Sequence, residues 1–270
     1  MVRTPAYLRW TLRLVVVAYL FLLVAWPVSL VVRHTFADGF EALSTAFADA
    51  NVVSALQLTA LVAGFSVVIN VVFGVTMSLL IVRHEFPGRR LLSLLLDLPM
   101  SVSPVVVGLA LLLVYNPRGG WFGEGLAGWG VQVIFSTPGM IMATVFVALP
   151  LVIREVVPTL QEVGDEQEWA ARSLGANGVQ TFWRITLPSI KWAVIYGVVL
   201  SLARSLGEYG AVKVVSGNIV GRTQTATLIV EERYQNFDQP TAYATAFLLA
   251  AAAVVCIVVV AILRPKHSVS

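Results

Sequence analysis

Arg204 and Glu208 stand four residues apart inside the largely apolar stretch from Trp192 to Val215, so a helix there puts both on one face. An arginine inside a membrane offers a positive contact to a passing anion, and a carboxylate one turn on keeps that attraction from becoming a trap. The alternative is a structural ion pair, or a contact with a partner subunit. A lone charge at a bilayer centre costs roughly 3 kcal/mol, so such charges face protein rather than lipid. Ser101 and Ser103 flank the breaks at Pro99 and Pro104 in another apolar run. Proline removes helix hydrogen bonds, and freed carbonyls are tolerated where protein or water satisfies them. A kinked, polar helix beside a solute path is one reading of Ser101, Ser103 and Pro104; a purely structural kink is the other. Asp97 is read as an interfacial or helix-start acid, and Lys213, near the outer end of its run, as a snorkelling cation.

Other chemistry is missing from the sequence. There is no G-x-x-x-x-G-K-[ST] loop to cradle nucleotide phosphates. No Cys/His cluster has metal-ligand spacing, and His34, His84 and His267 are far apart in loops or the tail. No nucleophile–base arrangement stands out. Cys256, the one cysteine, lies in an apolar run and is expected to be an inert buried thiol. No catalytic residue and no metal ligand is assigned, and the chain is expected to be non-catalytic.

The elements that position these residues follow from composition. Of 270 residues, 58% are hydrophobic and 12% charged, and the mean hydropathy is +0.83. A soluble domain carries about 25% charged residues, so this chain lacks the polar surface to cover a water-facing globule. The formal charge of +3 comes from basic residues scattered at the ends of apolar runs. They form no cluster, which argues against nucleic acid. Six apolar segments are expected as membrane spans, at about 12–32, 52–82, 91–115, 133–157, 192–215 and 243–263. The first follows Arg3, Arg9 and Arg13 and is long enough to cross a core of about 30 Å, so it reads as an uncleaved helix rather than a signal peptide.

Twelve of the 18 Lys and Arg residues fall at one side if the N-terminus is inside: Arg3, Arg9, Arg13, Arg83, Arg89, Arg90, Arg154, Arg172, Arg184, Lys191, Arg264 and Lys266. Only Arg33, Arg118, Arg222 and Arg233 fall outside. The asymmetry predicts cytoplasmic termini. The fold class is therefore an all-α polytopic membrane bundle of about six transmembrane helices, one domain over residues 1–270.

The longest cytoplasmic connection runs from about 158 to 191. Acidic residues Asp165, Glu166 and Glu168 gather before a helix-prone stretch, as suits a helix dipole. Trp169, Ala170, Ser173 and Leu174 share a face, and Gly175 is a plausible stop. A second short stretch, Val179–Leu187, then meets Pro188 at the first turn of the fifth span. Two short helices at an angle are expected, forming a compact knob. It is either an ordinary amphipathic loop on the membrane or a docking element for a cytoplasmic partner.

The pattern Ala170-Ala171, then Gly175, then Ile185-Thr186-Leu187-Pro188 resembles the EAA loop of bacterial ABC importer permeases. In that family the loop forms a coupling helix that docks into an ATPase subunit. The resemblance assigns ATPase coupling to Glu168, Trp169, Ala170, Ala171, Leu174, Gly175, Leu187 and Pro188. Trp169 stands where the family usually has glutamate, and Glu168 lies one residue earlier, about 100° away on a helix. The stretches 97–108, 203–212 and 215–219 resemble the sulfate and molybdate permease group, most of all the CysW-type subunits of sulfate/thiosulfate importers. The resemblance, from about Val52 to Leu263, implies a type I importer permease fold in the inner membrane. Its implied partners are a second, CysT-like permease, two ATPase subunits that carry ATP and Mg, and an external sulfate-binding protein. This chain itself is expected to bind no cofactor. Molybdate or tungstate transport, an ATP-independent secondary transporter and a membrane scaffold are the alternatives.

Overall fold

The computed structural model describes residues 6–263; Arg3, Arg264, Lys266 and His267 lie outside the described residues. The described chain is helical throughout: α1 (Tyr7–Thr35), α2 (Glu41–Ala48), α3 (Ala50–Arg83), α4 (Arg89–Ser101), α5 (Pro104–Tyr115), α6 (Gly123–Gly128), α7 (Thr137–Val163), α8 (Glu166–Ser173), α9 (Gly178–Leu206), α10 (Gly210–Ser216), α11 (Ala226–Gln235) and α12 (Gln239–Leu263). Five of these are long and apolar enough to cross a membrane, and α4 with α5 makes a sixth if the bent pair is one span.

Two of the six expected segments are not single helices. The run from Leu91 to Tyr115 bends by 110° between α4 and α5 rather than merely kinking. Pro104 has no N–H to continue the ladder and forces the residue before it to be extended. Ser103 (ψ 134°) and Val102 (φ −101°, ψ 135°) are indeed extended. The run from Trp192 to Val215 breaks at 207–209, between α9 and α10.

α7 also differs from expectation. It starts at Thr137 and runs through both Pro150 and Pro158 to Val163. Arg154, counted among the cytoplasmic-side cations, lies in a helix that continues nine residues beyond it to Val163, and the connection expected at 158–191 contracts to the stretch around α8. Gly164, at φ +70°, ends α7.

The core forms where α7 is wedged between α3 and α9. Val152 is fully buried, and a Cβ placed on Gly74 of α3 would lie 2.9 Å from its side chain. A Cβ on Gly197 of α9 would lie 2.9 Å from the Val152 Cα. Small residues let three backbones approach where lipid gives no hydrophobic drive between helices. Val75, Val156, Leu160, Ile190 and Ala193 complete this cluster. A second cluster, with Val62, Met140, Ala143, Val147, Val212 and Val215, fastens α10 to α3 and α7. α1 packs on α12 through 26–35, and its remaining apolar side chains are exposed.

Candidate functional site

Two features bring the sequence-derived residues together. One is a double break within the bundle; the other is a knob at one end.

At the break, α5 and α10 run side by side and in the same direction. A Cβ on Gly210 would lie 3.2 Å from Pro104, and one on Gly108 would lie 2.8 Å from both the Ala211 carbonyl and Val214. Both half-helices thus begin at one level. Ser101, Ser103 and Pro104 occupy the first break, with both serines exposed. Arg204 and Glu208 flank the second. Arg204 Nη1 lies 2.7 Å from Glu208 Oε2, yet the two differ sharply in exposure: 38% for the arginine side chain and 2% for the glutamate. They do not share a continuous helix, because Glu208 lies beyond the end of α9. Its Oε1 accepts the Ala211 N–H at 2.9 Å, satisfying an otherwise orphaned donor in the first turn of α10. Its carbonyl accepts the Thr227 hydroxyl at 2.9 Å. Glu208 is thus an internal strut, while Arg204 is the half-open member of the pair.

Lys213 does not simply snorkel. Its ammonium donates to the Tyr209 hydroxyl at 2.6 Å and to Glu231. On α11, outside the apolar spans, the hydrogen bond from Lys213 holds the Glu231 carboxyl below the ordinary carboxylate range. Asp97 is not a helix-start acid either. It is the ninth residue of α4 and pairs with Arg154 of α7 at 3.0 Å.

The knob is built on α8. Gly175, at φ +88°, stops it as expected, and the Gly175 and Ala176 N–H groups close on the Arg172 and Ala171 carbonyls at 2.9 and 3.0 Å. Asn177 and Gln180 then form a reciprocal capping box at 2.9 and 3.0 Å. The N-x-x-Q spacing is the sequence signal for it. The second short helix expected here is instead the start of α9, which runs on without interruption into the membrane. Phe182–Thr186 forms a wide π-turn, in which Leu187 N–H bonds the Phe182 carbonyl five residues back. Pro188 follows, and its missing N–H and bulky ring disfavour a regular turn. Phe21–Ala25 widens in the same way ahead of Pro27.

Trp169, Ala170 and Leu174 are exposed, with Leu174 at 89%. The Trp169 indole is held by Asp165 Oδ2 at 2.9 Å, and the Arg172 guanidinium lies 5.9 Å from its ring centre. Ala171, Leu174 and Gly175 edge a groove of 310 Å³ shared with Gln180, Thr181 and Arg184. Pro188 is exposed and Leu187 half-buried at the root of α9.

Glu168 points the other way and is buried. Its Oε1 accepts from Arg83 Nε (3.3 Å), Arg83 Nη2 (3.2 Å) and the Thr186 hydroxyl (2.9 Å). Arg83 also donates to the Leu160 and Gly164 carbonyls at 3.2 and 2.6 Å. The Arg83 guanidinium at the end of α3 therefore joins the end of α7 and the knob helix α8, and through Glu168 reaches the π-turn of α9. The local sequence around Arg83 and Thr186 does not reveal this role, because their shared partner Glu168 lies 85 and 18 residues away.

Broken half-helices in the bundle and a knob tied to three spans define a polytopic membrane helix bundle with an interrupted core. Residues 70–268 match the family of binding-protein-dependent transport system inner membrane components, and the chain belongs to that family. It is 48% identical over 248 residues to the sulfate transport system permease protein CysW of Synechocystis sp., covering 92% of this chain and 90% of the relative. Against CysW of Escherichia coli K12 it is 42% identical over 232 residues, covering 85% and 78%. Against CysT of the same organism it is 41% identical over 201 residues, covering 74% and 72%. Its fold is similar to that of a chain in a bacterial ABC transporter that imports alginate, with a TM-score of 0.79 at 18% identity, covering 97% and 96%.

Proposed function

We propose that this chain is one of two permease subunits of an ATP-driven importer of sulfate or thiosulfate, and that it forms half of the translocation path. The observation that carries this reading is 48% identity, over 92% of the chain, to a protein named as a sulfate transport permease. Both termini and the knob lie on the cytoplasmic side. The partners are a CysT-like permease, two ATPase subunits that hold ATP and Mg, and an external sulfate-binding protein. The knob docks through Trp169, Ala170, Leu174 and the groove beside Gly175. An exposed aromatic anchor next to a groove suits seating in a partner's cleft. Glu168 does not face the ATPase; it hands the motion inward. When the ATPase subunits close, α8 moves, and the Arg83–Glu168–Thr186 junction carries that movement into α3, α7 and α9. α9 ends at the second break, where the half-open Arg204 offers a planar donor fork to an oxyanion.

Reconstitution of the purified complex into liposomes tests this. The expected result is uptake of labelled sulfate that requires ATP, the sister permease and the ATPase. Uptake by this chain alone would overturn the reading in favour of a secondary carrier, and uptake of molybdate but not sulfate would overturn the substrate.

A further inference from the structure

We propose that Asp97 and Arg154 form a second oxyanion station on the translocation path, nearer the knob than the break at Arg204. Arg154 touches the anion, and Asp97 positions Arg154 and limits how long the anion stays. The inference rests on the reading of the chain as an oxyanion permease and adds a site to it.

Asp97 lies eight residues beyond Arg89, the first residue of α4, or about 12 Å along the helix. Arg154 lies six residues before Leu160, whose carbonyl is bonded by Arg83 at the knob end, or about 9 Å. Both residues thus lie about two turns in from the knob-side ends of their helices, and Arg154 lies within a helix long and apolar enough to span a membrane. Yet both side chains are about half exposed, at 52% and 54%. Charges this open on apolar helices are costly against acyl chains, which favours protein or a water-filled cavity as their surroundings.

Arg154 Nε and Nη2 both donate to a single oxygen, Asp97 Oδ1, at 3.1 and 3.0 Å. A fork-on-fork pair would use both carboxylate oxygens; this one leaves Asp97 Oδ2 and Arg154 Nη1 outside the contact. The pair borders a groove of 220 Å³ between α3, α4 and α7, whose other walls include Ile81, Leu96 and Ile153. Arg154 is therefore a guanidinium with donor capacity left over in a mostly apolar recess, and planar donor pairs suit tetrahedral oxyanions.

A lone arginine would hold a dianion too long, and conduction needs sites weak enough to leave. A carboxylate bonded to the arginine makes the station neutral overall. Arg204 has its own carboxylate in Glu208, so the anion would pass two arginines, each with its own counter-charge.

The test uses the complete transporter in liposomes, with labelled sulfate uptake and ATP hydrolysis measured together. Arg154→Gln should lower the maximal uptake rate at least tenfold while leaving the sulfate concentration for half-maximal uptake within twofold. Arg154→Lys, which keeps the charge but not the fork, should lose threefold to fivefold. Asp97→Asn should slow uptake with the complex intact, because the anion dwells longer. Leu94→Ala, on an exposed apolar position of α4, should leave uptake unchanged. Wild-type rates in Arg154→Gln would overturn the proposal. So would loss of the sister permease from Arg154→Gln and Arg154→Lys complexes on size exclusion, which would make the pair a subunit contact. Failure of the wild-type complex to move any oxyanion would instead sink the reading on which the station rests.

Discussion

Replacing Glu168 by alanine should loosen the knob without unfolding the bundle, and the size of the effect follows from the Arg83 junction. Both side chains are well buried, 14% and 12% exposed. Deleting one member of a buried pair costs roughly 3–5 kcal/mol when the other charge is stranded. Arg83 is not fully stranded, because it keeps the Leu160 and Gly164 carbonyls. The charge loss is therefore placed at about 2 kcal/mol. The Thr186 hydroxyl also loses its acceptor, adding about 1 kcal/mol. A total of about 3 kcal/mol corresponds to roughly a hundredfold rise in the population with α8 detached from α3. Amide hydrogen exchange over Glu166–Ser173 in the purified complex should accelerate by that factor, while amides of α3 around Val62 and Val75 hold their protection. Glu168→Gln keeps an acceptor and should fall between. In transport, Glu168→Ala should consume more ATP per sulfate moved. Exchange in α8 within threefold of wild type would refute the view that this junction fixes the knob.

Other outcomes follow from the same geometry. Gly197→Leu should destabilise the bundle by about 1–3 kcal/mol through overpacking against Val152, seen as a lower unfolding midpoint in detergent. Gly175→Ala forces a β-carbon onto a backbone at φ +88° and should cost more than about 1 kcal/mol locally, read as faster exchange at Ala176 and Asn177. Ala170→Arg should reduce co-purification of the ATPase while membrane insertion and the unfolding midpoint stay unchanged; normal coupling in that variant would argue against α8 as the docking surface. A cysteine introduced at Gly175 should react with an impermeant thiol reagent only from the cytoplasmic side of oriented vesicles.

The spans and the knob were legible because both rest on local signals: apolar runs, a glycine stop and a proline near a helix start. Local reasoning failed where a neighbour decides the outcome. Pro158 reads as a loop start, yet α7 continues through it to Val163: Pro158 itself is exposed, while Val156 and Leu160 on either side are buried in the core shared with α3 and α9. Asp97 reads as a terminal acid because its partner, Arg154, is 57 residues away. Arg204 and Glu208 read as one helix face because nothing in the four-residue spacing reveals that Glu208 leaves the helix to satisfy Ala211. The 110° break at Val102–Ser103 was half legible: the prolines mark the place, but the docking of α5 on α10 sets the angle.

The widened turn at Phe182–Thr186 has a consequence for the relative orientation of knob and path. A π-turn stores one surplus residue, and one residue of α-helix is about 100° of rotation. Removing a residue there would restore a uniform helix but re-clock the knob against everything embedded below it. Because Thr186 of this turn bonds Glu168, which Arg83 holds to the end of α7, such a re-clocking would pull the knob off the ends of α3 and α7. The surplus residue at the π-turn therefore sets the angle at which the knob meets the spans, and the Arg83–Glu168 pair locks that angle.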